Sequence, residues 1–199
     1  MAEEHDHLRE TDLAPLVDEY GELELTPADD LFERFVVSIV NQLISTEAAR
    51  TIRARLFEQF EVTPDAMLTA EADALREVGL SPQKVEYVKN VAAWFEENDV
   101  TRERFTEMSD AAVTRELTDI RGVGDWTAKM VLMFGLGRED VFPVEDLAVR
   151  RGMEDLFGEL TRAEMRTLAE AWSPYRSIAT LYVWQHYVDG NSNVDDIVA

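Results

Sequence analysis

Apolar residues recur along this chain at intervals of three and four positions, which is the period of an α-helix. No stretch alternates apolar and polar residues as a half-buried strand does. After Pro27, Asp29 and Asp30, the apolar positions nearly encircle one predicted helix: Phe32, Phe35, Val36, Ile39, Val40 and Leu43. The pattern therefore predicts an all-α protein in which this helix is buried.

Capping residues predict where several other helices begin. Ser81 with Pro82 supplies a cap and a proline in the first turn, and Ser109 caps the helix that leads to residue 118. Thr161 with Glu164 forms a capping box. Another helix begins near Pro174, and the polar, acidic residues from 190 to 199 are expected to fray.

A Gly-Val-Gly turn joins two of these helices. Gly122 and Gly124 allow a sharp turn because glycine tolerates positive φ and close backbone approach. Asp125 can then cap a helix from Trp126 to Gly135, whose first amides lack intrahelical partners. Such a helix start favours anions, so the turn is a candidate site for a DNA phosphate. By itself, Gly-x-Gly before a helix is more often an ordinary turn.

Three segments together resemble the helix-hairpin-helix superfamily of base-excision DNA glycosylases, and within it the 3-methyladenine DNA glycosylase II, alkylation-repair type. They are LTDIRGVGDWTAKMVLMFGLGREDVFPVEDLAVRRG, WSPYRSIATLYVWQ and FVVSIVNQLISTEAA. The resemblance implies two helical subdomains with a catalytic cleft between them. One combines residues 1–42 and 138–199, and the other is the contiguous stretch 43–137 with the hairpin at about 109–136. Only residues 1–29 precede the first family helix, which is too short for the β-rich N-terminal domain of some relatives.

The resemblance implies that Asp146 is the catalytic carboxylate. Cleavage of an N-glycosidic bond develops positive charge on the sugar, which a nearby carboxylate stabilises. Adjacent Glu145 is the competing carboxylate, and without the resemblance Asp146 would be read as a helix-start acid. Trp126 stands where strand-nicking relatives have a nucleophilic lysine, so a monofunctional enzyme that leaves an abasic site is expected.

A flipped base needs a pocket with aromatic faces. Trp126 and Tyr175 lie where the resemblance places pocket aromatics, Trp172 is a further candidate, and Met130 replaces a tyrosine of a close relative. Tyr182 and Trp184 are also aromatic candidates, but we expect them to be mostly core.

The resemblance also implies groups that contact the DNA backbone and the base stack. Leu43, with Gln42 beside it, resembles the wedge that fills the gap left by the flipped base, although a buried leucine is a serious alternative. Phosphate contacts are expected from Gly122, Gly124, Asp125, Lys129 and Arg176, and for Arg176 a support of Asp146 or a surface ion pair is equally compatible. Main-chain carbonyls of Thr118, Ile120 and Val123 would hold a monovalent cation.

The charge of the chain does not fit an ordinary DNA-binding protein. It has 41 acidic and 19 basic residues, a net charge of −22, and only three lysines. This composition resembles proteins of salt-loving organisms, in which the Debye length shrinks to about 3 Å in molar salt. Zero cysteines exclude disulfides and the cysteine-bound iron-sulfur cluster of some relatives.

We therefore expect a cytoplasmic, monomeric enzyme that needs no catalytic cofactor and acts on double-stranded DNA containing a damaged base. No apolar run is long enough to span a membrane, and the first ten residues do not resemble a signal peptide. Two alternatives stay open. One is a glycosylase for oxidised or deaminated bases, and the other is a non-catalytic protein that binds DNA structure.

Overall fold

The computed structural model describes residues 2–188, and within that range the chain is helical without strands. The all-α prediction is confirmed. The helices are α1 Ala2–Arg9, α2 Ala14–Tyr20, α3 Leu31–Asn41, α4 Thr46–Gln59, α5 Pro64–Thr69, α6 Ala72–Glu77, α7 Pro82–Asn98, α8 Asp110–Thr118, α9 Asp125–Phe134, α10 Leu147–Phe157, α11 Arg162–Ala169 and α12 Arg176–Val188, with short 3₁₀ helices at Arg102–Phe105 and Glu170–Trp172. The predicted frayed tail lies outside the described residues. Among the described residues, no helix combines the length and the apolar character that a membrane span requires.

The predicted capping residues begin the predicted helices. Ser81 and Ser109 accept hydrogen bonds from the amides of Lys84 and Ala112, and Thr161 forms a complete capping box with Glu164. The buried helix α3 begins at its own cap, because Asp30 accepts from the Glu33 amide at 2.8 Å. These starts follow from short polar side chains that satisfy otherwise unpartnered amides.

The chain divides into two compact units. The central unit runs from Pro27 to Leu136, and the terminal unit combines the described residues up to Thr26 with those from Gly137 onward. The division is discontinuous, and its first boundary falls after residue 26 instead of the predicted residue 42. The reason is α3, which packs against α4, α7 and α9 and therefore belongs to the central unit.

The core of the central unit surrounds α3. Phe32 and Phe35 meet the ring of Phe95 edge-on, with centroids 5.1 and 5.4 Å apart. The buried guanidinium of Arg34 lies 5.2 Å from the centre of the Phe134 ring on α9 and donates to Ser38 Oγ. Burial lowers the pKa of Arg34 to about 9, which leaves it mostly charged at neutral pH.

The terminal unit depends on close packing between α10 and α12. A Cβ atom on Gly152 of α10 would lie 2.6 Å from the Val183 carbonyl oxygen and 2.8 Å from Val183 Cγ1 of α12. No larger residue fits there without separating the helices. Glycine at position 152 therefore allows α10 and α12 to pack closely enough for a side chain of α12 to bond to the residue that begins α10.

Candidate functional site

Residues of α7 hold the hairpin between α8 and α9 in place. Gly122 has φ of +106°, and a Cβ atom there would lie 2.2 Å from Cγ of the Tyr87 ring on α7. Asn90, also on α7, donates to the Arg121 carbonyl at 3.1 Å. Because the N–H and C=O groups of a trans peptide point in opposite directions, this bond turns the Gly122 amide away from Asn90. Both conformation and packing therefore require glycine at position 122.

Gly124 begins α9 without a side-chain cap. Its backbone is extended, with φ of −99° and ψ of −179°, and a Cβ atom there would meet nothing within 4 Å. Asp125 was expected to be the cap, but it is the first helical residue, because the extended backbone that defines a cap lies one position earlier. Gly124 and Asp125 are both exposed. The start of α9 is thus accessible from outside and lacks the side-chain acceptor that begins α3, α8 and α10.

Gln42 connects the hairpin to the end of α3. Its side-chain amide donates to the Gly122 carbonyl at 3.0 Å and to Thr127 Oγ1 at 2.8 Å. Lys84 donates to the Val40 carbonyl at 2.7 Å and further anchors this helix end. Gln42 was expected to lie beside the wedge at the DNA, and that role stays a prediction. The structure shows its amide nitrogen bonded within the central unit.

Leu43 follows directly and is fully exposed, with a relative exposure of 104%. Its φ of +56° is uncommon for a residue with a side chain. α3 ends at Asn41, so Leu43 leaves the apolar stripe that its spacing had predicted. The alternative of an ordinary buried leucine is therefore wrong.

Asp146 begins α10, and two donors bind the same oxygen of its carboxylate. The Val149 amide and the Trp184 indole N–H each donate to Asp146 Oδ1 at 2.9 Å. Asp146 is a partly exposed residue, whereas Trp184 is buried at 1% exposure. The competing carboxylate, Glu145, is paired with Arg166 at 3.5 Å. Trp184 was expected to be core, and its bond to Asp146 was not foreseen.

Two of the predicted pocket residues are core residues. Met130 is 3% exposed and Trp172 is 0% exposed. Trp172 packs against Phe142 and Phe157, with ring centroids 5.8 and 6.4 Å away. Both residues lie on the apolar faces of their helices. Apolar residues at helical spacing can line either a core or a pocket, so the sequence pattern does not distinguish the two.

The other two pocket aromatics remain accessible. Trp126 on α9 and Tyr175 before α12 are both partly exposed. The Tyr175 ring meets His7 edge-on at 5.6 Å. Desolvation, followed by the charges of Glu3 and Glu4, raises the pKa of the Tyr175 hydroxyl, which therefore stays neutral at physiological pH.

Arg176 forms an ion pair with Asp140. Its Nε and Nη2 donate to the two carboxylate oxygens at 2.6 and 2.9 Å. Burial raises the pKa of Asp140, but hydrogen bonds from Arg176 and Ser173 outweigh it and hold the pKa below the usual value. Of the roles proposed for Arg176, the ion pair is the one the structure contains, and its forked geometry stabilises the turn before α12.

The remaining predicted groups lie in or near the hairpin. Lys129 is partly exposed on α9, and the Ile120 carbonyl accepts the Val123 amide at 3.0 Å. That bond leaves one lone pair of the Ile120 oxygen for a cation, so the monovalent cation at Thr118, Ile120 and Val123 stays a prediction. The described residues contain no cluster of three or more histidine or acidic side chains suited to a metal.

Comparison with known proteins decides the family. The model of the HhH-GPD superfamily of base excision DNA repair proteins matches residues 36–177, which include the hairpin, Leu43 and Asp146. This chain belongs to that superfamily. The HhH-GPD match also contains Trp126 and Tyr175, and it ends before Trp184.

Individual HhH-GPD relatives agree with this assignment. The chain is 28% identical over 182 residues to DNA-3-methyladenine glycosylase 1 of Schizosaccharomyces pombe, covering 87% of this chain and 79% of the relative. It is similar to the crystal structure of a DNA-3-methyladenine glycosidase from Bacillus halodurans, with 30% identity, a TM-score of 0.77 and coverage of 96% and 92%. The S. pombe Mag1 structure in complex with abasic DNA has a TM-score of 0.85 at 24% identity, covering 92% and 95%, and shows the shared fold.

One exposed residue next to the candidate catalytic carboxylate had not been predicted. Leu147 immediately follows Asp146, and its side chain is 58% exposed. An apolar residue at this exposure in the first turn of α10 is free of the core packing that fixes Val149. The helical pattern alone assigns no role to it, because exposed single leucines are common.

Proposed function

We propose that this chain is a base-excision DNA glycosylase that flips alkylated bases of the 3-methyladenine type out of the duplex and releases them by hydrolysis. The superfamily match supplies the reaction class, and the relatives named for 3-methyladenine support the substrate class. The observation that carries the proposal is the Asp146 carboxylate, held at the start of α10 by two donors to one oxygen.

The reaction breaks the bond between the sugar C1′ and the base nitrogen. The base leaves with the bonding electrons, and an alkylated purine that carries a positive charge leaves as a neutral molecule. Positive charge then develops on the sugar, and the Asp146 carboxylate stabilises it electrostatically. Water adds its oxygen to C1′ and loses a proton, which gives an abasic site and a free base. No step needs a metal or an organic cofactor.

We expect this enzyme to leave the strand intact. Strand-nicking relatives use a lysine amine as nucleophile, and Trp126 occupies that place here. An indole cannot form a Schiff base with the sugar. Instead, the partly exposed ring of Trp126 offers a π-face that attracts a cationic alkylated base.

The central unit supplies the DNA contacts in this proposal. The exposed start of α9 and the Gly122 amide receive a phosphate oxygen, because the positive end of a helix dipole favours an anion. The exposed side chain of Leu43 enters the base stack and replaces the flipped base. These contacts do not depend on base sequence, which suits an enzyme that must find damage anywhere.

The test uses DNA methylated with a labelled methyl group, and parallel duplexes that carry a single 8-oxoguanine or uracil. We expect release of free methylated purines and strand breaks only after hot alkali. Release from the oxidised or deaminated duplex alone would change the substrate class. Breaks without alkali, together with a borohydride-trapped adduct, would contradict the monofunctional mechanism. DNA binding without release of any base would favour a non-catalytic protein.

A further inference from the structure

Trp184 is a buried residue of α12 whose one polar atom is bonded to the candidate catalytic carboxylate. Its indole N–H donates to Asp146 Oδ1 at 2.9 Å, and the residue is 1% exposed. A buried indole N–H usually finds an acceptor, but most acceptors available to it are backbone carbonyls. Here the acceptor is the side chain on which the proposed reaction depends.

The two donors on Asp146 come from different helices. Val149 N belongs to α10 and is the ordinary partner of a helix cap, whereas Trp184 belongs to α12. The Val149 bond ties the carboxylate to its own helix, whereas the Trp184 bond ties it to α12 as well. A carboxylate held from two helices has less freedom to turn about its Cβ–Cγ bond than one held from its own helix.

The position of Trp184 is itself fixed by the helix packing. Gly152 of α10 lies against Val183, the residue just before Trp184, at a distance that no Cβ atom could tolerate. This close approach determines where the indole N–H lies relative to the start of α10. The sequence thus contains both the donor and the small residue that lets it reach Asp146.

From this geometry we infer that Trp184 is a positioning residue that orients the Asp146 carboxylate for cleavage of the glycosidic bond. The inference rests on the proposed function. A carboxylate that stabilises a developing charge must be held close to its productive geometry, and a displacement of about 1 Å can reduce a rate about 100-fold. Trp184 supplies that restraint without touching the DNA or the base.

A second tryptophan of the same unit provides the matched control. Trp172 is also fully buried, at 0% exposure, yet its Nε1 has no hydrogen-bond partner in the part of the chain that the structure describes. Trp172→Phe and Trp184→Phe therefore remove the same atoms from two buried indoles. They differ in whether a hydrogen bond to Asp146 is lost.

The experiment measures the single-turnover rate of base release and the Kd for the same alkylated duplex. We expect Trp184→Phe to lower the rate about 10- to 100-fold and to change Kd less than about twofold. Trp172→Phe should leave both within about twofold. If the wild-type enzyme releases the base and the two variants release it at equal rates, the positioning role of Trp184 is overturned. A wild-type protein that releases no base would instead overturn the proposed function.

A second measurement covers the case in which Trp184→Phe does not fold. Benzothienylalanine introduced at position 184 replaces the indole N–H by sulfur and keeps the shape of the ring. It should produce the same loss of rate with an unchanged Kd. In addition, Asp146→Asn should shift the indole N–H resonance of Trp184 and leave that of Trp172 in place. An unshifted Trp184 resonance would contradict the bond on which the inference rests.

Discussion

The starts of α9 and α10 differ in whether a side chain of the protein accepts hydrogen bonds from their first backbone amides. α10 begins with Asp146, whose carboxylate accepts from the Val149 amide, so this helix start is closed by its own side chain. α9 begins with Gly124, which has no side chain to accept a bond. A Cβ atom would fit at Gly124 without any contact inside the protein, so packing does not explain the glycine.

The comparison separates two uses of the same backbone feature. An open helix start attracts an external anion, which in the proposed function is a DNA phosphate. A helix start that is capped by its own side chain uses a backbone amide to hold that side chain in place. At Asp146, the indole of Trp184 adds a second restraint on the carboxylate. Binding and chemistry should therefore respond to different substitutions.

The largest effect is expected from Asp146→Asn. Asparagine is as good a helix cap as aspartate, so the fold should be retained while the negative charge is lost. Base release should fall at least about 100-fold, the magnitude typical of a removed electrostatic contact to a transition state. Single-turnover assays and a thermal melt measure the two properties.

Asp30→Asn is the matched control for this substitution. Asp30 caps α3 by accepting from the Glu33 amide at 2.8 Å, so the chemical change at a helix start is the same. Base release by this variant should equal that of the wild type. A comparable loss of activity in both variants would mean that Asp146 acts through the fold alone.

A smaller effect is expected from Gly124→Asp, which closes the start of α9. The extended backbone at Gly124 suits a capping residue, so the variant should be as stable as the wild type or slightly more stable. The new carboxylate would occupy the amides and repel phosphate. Loss of charge-assisted hydrogen bonds worth about 1.5–3 kcal/mol should raise the Kd for duplex DNA about 10- to 100-fold.

Gly124→Asn serves as the uncharged control, because asparagine caps the helix without repelling phosphate. We expect its Kd to lie between those of the wild type and Gly124→Asp. Titration of a labelled duplex at constant ionic strength gives all three values. An unchanged Kd for Gly124→Asp would exclude α9 as a phosphate site.

The smallest effect is expected from Leu43→Ala. A wedge stabilises the gap left by the flipped base, so its loss matters more where the lesion is firmly paired. Base release should fall about three- to tenfold on a paired lesion and less on the same lesion in a mismatch, since unpairing costs less there. Phe57→Ala, at an exposed position of α4, is the control and should change neither rate. Equal losses on both substrates would contradict the wedge.

The helix starts could be predicted because short capping side chains act on neighbouring residues. Ser81, Ser109 and Thr161 each bind an amide three positions along the chain, so their spacing is visible in the sequence. The HhH-GPD family was visible for a similar reason, since its hairpin and Asp146 lie within one short segment. The interpretation of the acidic composition as that of a salt-loving organism, and the cytoplasmic location, stay predictions.

Contacts between distant segments could not be predicted in the same way. Trp184 and Asp146 are 38 residues apart, and their bond depends on the packing of Gly152 against Val183. Helical periodicity also placed Leu43 on a buried stripe, although the helix ends two residues earlier. The period of a helix does not show where the helix ends. Nor does it show whether a buried side chain lines a pocket, and for that reason Trp172 was predicted to line the pocket although it is a core residue.

In this enzyme, the start of α9 should determine DNA binding, and the carboxylate at the start of α10 should determine base release. The most direct test measures Kd and the single-turnover rate at saturating enzyme for Asp146→Asn and Gly124→Asp on one alkylated duplex. We predict that Asp146→Asn loses the rate and keeps Kd within about twofold, while Gly124→Asp raises Kd about 10- to 100-fold and keeps the saturated rate. If Asp146→Asn releases the base at the wild-type rate, or Gly124→Asp loses only the rate, binding and chemistry are not divided between these two helix starts.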